Sequence, residues 1–184
     1  MRKRPLHTFL FADLVGYTAL TECHGDEAAA EVAVRFGAQA ARLAAEHDAQ
    51  VLKAVGDAVL IRADRATDAV RLALRLDAEL SGAPSLPPIH AGAHTGYAIE
   101  RDGDWYGAAV NLAARVAGAA SAGELLVTEA TVAAAGEMGD VQLDCLGPRT
   151  FKNVAGATPV YSARLVPQPV AAPSLVPVPA LSSA

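Results

Sequence analysis

Two aspartates stand where the surrounding sequence is apolar. Asp13 closes "FLFAD", and Asp57 sits in "VGDAVL". A carboxylate buried in a strand is costly unless it is paired or bound to a metal. On neighbouring strands of one sheet, the two would form a pair of oxygen ligands suited to Mg²⁺, which takes carboxylates together with substrate phosphates. Each also has a plainer use: Asp57 after Gly56 suits a turn, and Asp13 suits capping the turn that follows it. A second pair, Asn111 and Arg115, lies in "WYGAAVNLAARV" (105–116). Residues four apart are surface neighbours on a helix, so an amide and a guanidinium are presented together, or simply face solvent. Lys53 comes four residues before Asp57 in an otherwise apolar strand, where a lysine ordinarily snorkels to the surface. His47, His90 and His94 fall in no ligand-like spacing and read as structural. The glycines of "AGAHTG" fit neither the P-loop nor the dinucleotide-binding pattern.

The elements that must position these residues follow from hydrophobic period and turn residues. "HTFLFADL" (7–14) reads as a buried strand. Residues 26–47 carry apolar positions at helical spacing, with Asp26 placed to cap the start. "AQVLKAVGDAVLIRA" (49–63) reads as a β-hairpin turning at Gly56-Asp57. A second amphipathic helix is expected over 64–80, a strand over 89–100, and a helix over 105–116. Strand 124–128, a short helix at 130–138 and closing strands at 141–147 and 158–165 complete the order. That order predicts an α+β domain with a mostly antiparallel sheet and helices on one face. It is expected over residues 1–165, and the Pro/Ala-rich tail 166–184 reads as disordered or extended.

The chain of 184 residues is long enough for one real core. Hydrophobic residues make up 52% and charged residues 19%, which argues against wholesale disorder. No run approaches the ~18 apolar residues of a spanning helix, and Asp13 interrupts the apolar start, so no membrane insertion and a cytoplasmic setting are expected. A net charge of −5 argues against broad nucleic-acid binding. Cys23 and Cys145 lie far apart and read as free thiols.

Taken together, these segments resemble the catalytic domain of the class III nucleotide cyclases. The resemblance rests on "TFLFADLVGYTAL", "LKAVGDAVLIRA", "IHAGAHTG", "DWYGAAVNLAARV", "GELLVTEAT" and "LGPRTFKNVAGATPVY", in the family's order over roughly residues 7–164. It implies a ferredoxin-like βαββαβ cyclase fold of a bacterial-like, stand-alone kind, and an adenylate cyclase that turns ATP into 3′,5′-cyclic AMP and pyrophosphate. It implies that Asp13 and Asp57 bind two divalent metal ions, Mg²⁺ or Mn²⁺. Asn111 and Arg115 match the pair that orients the ribose and stabilises the transition state, and Lys152 of "FKNV" matches a lysine that contacts the terminal phosphates.

Lys53 and Asp104 match the base-selecting pair of the family. A lysine donor beside an aspartate acceptor suits adenine, which offers an acceptor at N1 and an amino group at N6. The guanylate enzymes of the family carry Glu and Cys there. The resemblance further implies a homodimer, with the metal aspartates from one copy meeting the other residues from its partner. The competing expectation is a cyclase-like module that binds nucleotide or dimerises without turnover.

Overall fold

The structure, a computed structural model, describes residues 5–82 and 86–166. The expectations for the tail beyond Val166 lie outside the described residues. The first half runs β1 (His7–Leu14), α1 (Tyr17–Glu46), β2 (Ala49–Val55), β3 (Ala58–Ala63), α2 (Ala66–Ser81) and β4 (Ile89–Gly96). This is the βαββαβ order, and its strands lie β2-β3-β1-β4. A short hairpin, β5 (Ile99–Arg101) and β6 (Asp104–Tyr106), leads into α3 (Ala108–Ala117). Then come β7 (Leu125–Thr128), α4 (Glu129–Ala135), β8 (Val141–Thr150) and β9 (Ala157–Leu165). They extend the sheet to seven strands, β2-β3-β1-β4-β7-β9-β8, with the β4–β7 pairing parallel and the others antiparallel. The fold is the expected α+β cyclase-like one.

Helices cover both faces of the sheet, where one was expected. Leu10, Ala12 and Leu14 of β1 pack with Phe36 and Leu43 of α1 and Leu72 and Leu76 of α2. The alternate residue Phe9, with Phe11 beside it, packs instead with Ala109, Val110 and Ala113 of α3 and with Trp105. A strand apolar on both faces has to be covered twice, and the unbroken run "FLFA" carries that requirement. Each fully buried Leu or Phe is worth roughly 1.5–3 kcal/mol of transfer free energy. Where α3 crosses β4, residue 92 must be glycine. A Cβ there would stand 2.1 Å from the backbone nitrogen of Ala117, so the helix end lies directly on the strand.

Several boundaries differ from expectation; α4 ends at Ala135 and β8 runs on to Thr150, and three differences lie nearer the polar residues. A helical segment begins at Tyr17, well before Asp26, and α1 is interrupted where Gly25 turns to φ 84°. The strand expected over 89–100 stops at Gly96. Trp105 and Tyr106 belong to strand β6 and α3 begins only at Ala108. The β5–β6 turn is Asp102-Gly103, with φ of 55° and 79°. Asp-Gly with both residues left-handed is the favoured type I′ hairpin turn.

Candidate active site

Asp13 and Asp57 are brought together by strand pairing. In β1, Asp13 follows Phe9 and Phe11 at alternate positions, so it faces the α3 side of the sheet. Asp57 lies in the two-residue turn between β2 and β3, and its carbonyl accepts a hydrogen bond from the Leu14 amide at 3.0 Å. That bond pins the turn to the end of β1. Burial first, then the nearby Asp57 charge, push the Asp13 carboxyl from its ordinary 3.8 up to about 6. Asp13 Oδ1 is buried without a hydrogen-bond partner among the described residues.

His90, read from sequence as structural, stands directly across β1 from Asp13. Its Nδ1–H donates to the Ala117 carbonyl at 2.9 Å, which leaves Nε2 facing Asp13 Oδ2 at 3.5 Å. Strand register created this neighbour, and no local spacing could have shown it. An orphaned carboxylate oxygen beside a second carboxylate suits a divalent cation. No cluster of three or more His, Cys, Asp or Glu ligands exists among the described residues, so phosphate oxygens would have to complete the coordination.

Lys53 reaches the same side of the sheet through a β-bulge. Val51 pairs with Ile61 and Lys53 with Leu60, leaving Leu52 as the extra residue. Simple alternation from Val51 would have turned Lys53 towards α1 and α2. The bulge instead puts it on the face of Leu60 and Phe9. There its Nζ meets Asp104 Oδ2 at 2.5 Å. The mutual hydrogen bond is the main cause holding the lysine above its usual range and the aspartate below it.

Trp105 fixes Asp104 in this position. The indole stacks edge-on against His7 at 4.7 Å, packs on Phe9, and lies under the Arg62 guanidinium at 5.1 Å. The Trp105 amide then donates to Asp104 Oδ1 at 2.8 Å. Lys53 and Asp104 stand at a cavity of about 320 Å³ whose apolar walls include Phe11, Val59, Leu60 and Val110.

Asn111 and Arg115 occupy the exposed face of α3, while Val110, Ala113, Val116 and Ala117 are buried. Lys152 joins them because its neighbours are anchored. Phe151 and Val154 pack against Leu112 and Val116 of the helix, and Asn153 turns the chain at φ 62°. Asn111, Arg115 and Lys152 thereby line one cavity of about 230 Å³. A further cavity beside it is lined by Asn111 and by His94, whose imidazole burial pushes towards the neutral form and whose Nδ1 lies 2.8 Å from the Thr128 hydroxyl. Neither Asp13 nor Asp57 lines the Lys53–Asp104 cavity or the Arg115–Lys152 cavity. All seven residues singled out in the sequence lie on the α3 side or at its edge, in three groups. Cys23 and Cys145 are exposed free thiols.

With this geometry in place, the chain belongs to the class III nucleotide cyclase family. It is 32% identical over 160 residues to a pH-sensitive adenylate cyclase of Mycobacterium tuberculosis, covering 85% of this chain and 40% of that protein. It is 39% identical over 117 residues to an adenylate cyclase of Streptomyces griseus, covering 64% of this chain and 29% of that protein. The chain thus spans less than half the length of either relative. Among solved structures, an adenylate/guanylate cyclase/hydrolase from Silicibacter pomeroyi superposes with a TM-score of 0.73 at 26% identity, covering 88% of this chain and 98% of that one. No protein-family model matches the chain. No helix among the described residues is long and apolar enough to cross a membrane.

Proposed function

We propose that this chain is an adenylate cyclase, with residues 1–165 as its catalytic domain, converting ATP to 3′,5′-cyclic AMP and pyrophosphate. The ribose 3′-hydroxyl attacks the α-phosphate, a new P–O bond closes the ring, and the bond to the β-phosphate oxygen breaks. The observation that carries this reading is Asp13, with its orphaned buried oxygen beside Asp57, on the same sheet face as the Lys53–Asp104 and Asn111–Arg115 pairs. A purely structural domain has no use for that arrangement.

Each side chain has a role its chemistry suits. Lys53 donates to adenine N1 and Asp104 accepts from the N6 amino group. Guanine presents the opposite order and would leave both groups mispaired. Asn111 holds the ribose, and Arg115 meets the charge that grows on the α-phosphate in the transition state. Lys152 contacts the terminal phosphates. Asp13 and Asp57 would hold two divalent cations, Mg²⁺ or Mn²⁺, which when bound would neutralise triphosphate charge and acidify the 3′-hydroxyl. Most of the catalysis is positioning and electrostatic stabilisation.

The active unit in this reading is a homodimer in the cytoplasm, where ATP is available. Neither carboxylate lines the Lys53–Asp104 or the Arg115–Lys152 cavity of its own chain, which supports a second copy completing each site. Support comes from the apolar surface around the cavities. Val55, Tyr97, Ile99 and Tyr106 are 68%, 54%, 54% and 55% exposed. Val55 and Tyr106 line the Lys53–Asp104 cavity, Ile99 lies in the neighbouring hairpin, and Tyr97 lines the cavity beside Asn111, a spread of exposed apolar surface that an interface would cover.

The test incubates purified protein with ATP or GTP and Mg²⁺ or Mn²⁺, following cyclic nucleotide and pyrophosphate. Metal-dependent cyclic AMP that disappears in Asp57→Ala supports the proposal. A folded dimer that binds ATP and forms no product refutes it.

A further inference from the structure

We infer that Asp64 is a positioning residue for base selection: through His7 and Arg62 it clamps the Trp105 indole, and so holds Asp104 at the nucleobase. The inference rests on the adenylate cyclase reading above, and deepens it by tying base preference to an ion cluster outside the base pocket.

The need for a clamp comes from topology. Lys53 belongs to the seven-stranded sheet, whereas Asp104 belongs to the separate two-stranded sheet β5-β6. The 2.5 Å contact between them therefore joins two sheets that share no strand pairing. An isolated two-stranded hairpin is marginal in water, so side-chain contacts must set where Asp104 stands. Trp105 supplies such contacts, and its amide carries the position over to Asp104 Oδ1 at 2.8 Å.

Asp64 reaches the indole through strand register. Phe9 pairs with Arg62 and Thr8 with Ala63 across β1 and β3, which brings His7 opposite Asp64, just beyond the end of β3. Alternation puts His7, Phe9 and Arg62 on one face, and Trp105 meets all three. Its ring is edge-on to His7 at 4.7 Å, 5.7 Å from Phe9 and 5.1 Å from the Arg62 guanidinium. A single oxygen, Asp64 Oδ1, accepts from His7 Nδ1–H at 2.8 Å and faces Arg62 at 3.2 Å. An ionised carboxylate only accepts, so Nδ1 must carry a proton and the imidazole cannot flip without losing that bond.

Stability alone does not account for this cluster. Asp64 is 67% exposed, and an ion pair at such exposure adds little to the folding free energy. Arg62 meanwhile keeps a buried Nε with no hydrogen-bond partner among the described residues, an unfavourable feature of holding its guanidinium over Trp105. What the cluster fixes is direction. The carboxylate sets the imidazole and the guanidinium, these set the indole, and the indole sets the backbone beside Asp104.

Trp105 is the single tryptophan of the chain, so intrinsic fluorescence reports on the clamped ring without any reaction. The experiment is Asp64→Ala, studied alone and in an Asp104→Ala background. Asp144→Ala, which removes another exposed carboxylate paired with an arginine, is the control. The readouts are acrylamide quenching of Trp105, steady-state kinetics with ATP and GTP, and the affinities of ribose-labelled fluorescent ATP and GTP analogues with Mn²⁺. Asp64→Ala should raise the quenching constant and, with two charged links lost at a partly exposed site, raise KM for ATP roughly 3- to 10-fold. The expected result also includes kcat within about twofold of wild type and a narrowed ATP-over-GTP preference. In the Asp104→Ala background quenching should rise as before, while the analogue affinities change no further. The control should move none of these.

Unchanged quenching in Asp64→Ala overturns the clamp. Higher quenching with unchanged KM and base preference overturns the positioning role, because the cluster would then serve structure alone. An equal loss of ATP-analogue affinity without Asp104 overturns it as well. In each case wild-type turnover leaves the cyclase reading standing. A wild-type protein that binds the analogues without turnover refutes the cyclase reading, and the analogue affinities of Asp64→Ala then decide the clamp. A wild-type protein that neither binds nor turns over nucleotide refutes both.

Discussion

Replacing Asp13 with Asn should make the metal-free protein more stable while abolishing turnover. The carboxyl rises from 3.8 to about 6 because it is partly buried and faces Asp57. A raised carboxyl favours the folded state only while protonated. Its contribution is fully present below about pH 4, is lost as pH rises through about 6, and stays lost at neutral pH. The full shift corresponds to ~3 kcal/mol. The side chain is 38% exposed, so solvent screening reduces the penalty to ~1–2 kcal/mol. For a domain of this size that is roughly 3–6 °C in Tm.

The assay is thermal unfolding by circular dichroism of wild type and Asp13→Asn, with a chelator, at pH 7.5 and at pH 4. The variant should melt higher at pH 7.5, and the difference should vanish at pH 4. Adding Mn²⁺ should raise the wild-type Tm and leave that of the variant nearly unmoved. A variant no more stable than wild type at pH 7.5 without metal would refute the claim that Asp13 is a charge held at a cost for function.

Further outcomes follow from other contacts. Gly92→Ala drives a Cβ into the backbone at Ala117; it should cost about 3 kcal/mol or more and lower activity by displacing α3, read by denaturant unfolding and the cyclase assay. Mixing Asp13→Ala with Arg115→Ala protein should restore about a quarter of wild-type activity, since half the dimers are mixed and each has one intact site; no recovery in verified heterodimers would exclude shared sites. The double change Lys53→Glu, Asp104→Cys should weaken use of ATP relative to GTP, and an undiminished ATP preference would undo the base-recognition argument.

Much of the fold was legible because its signals are local. The apolar run of β1, the Gly56-Asp57 turn and the helical periods of α1 and α2 each lie within one stretch of chain. The β5–β6 hairpin was announced by Asp102-Gly103, but three-residue strands are too short to show a period, and Trp105 was absorbed into the neighbouring helix. The side of the sheet taken by α3 was less accessible. An amphipathic pattern says that one face of a helix is buried, and leaves open which face of the sheet covers it. That answer was carried instead by the two-sided apolar character of β1.

The site divides along the same line. Asn111 and Arg115 were legible as a pair because helical spacing is intrinsic to the chain. The partnership of Lys53 with Asp104 depends on a bulge at Leu52, which exists only once β2 has paired with β3. His90 reaches Asp13 only through the β1–β4 register. Polar groups that must meet from distant segments are placed by packing that is itself apolar. Trp105 holds Asp104, Phe151 and Val154 hold Lys152, and Gly92 lets α3 sit close enough for the Ala117 carbonyl to orient His90. Under the proposed function, chemistry at this surface would therefore depend on residues that take no part in it. The apolar anchors should be as intolerant of substitution as the groups they aim, with loss of activity preceding loss of fold.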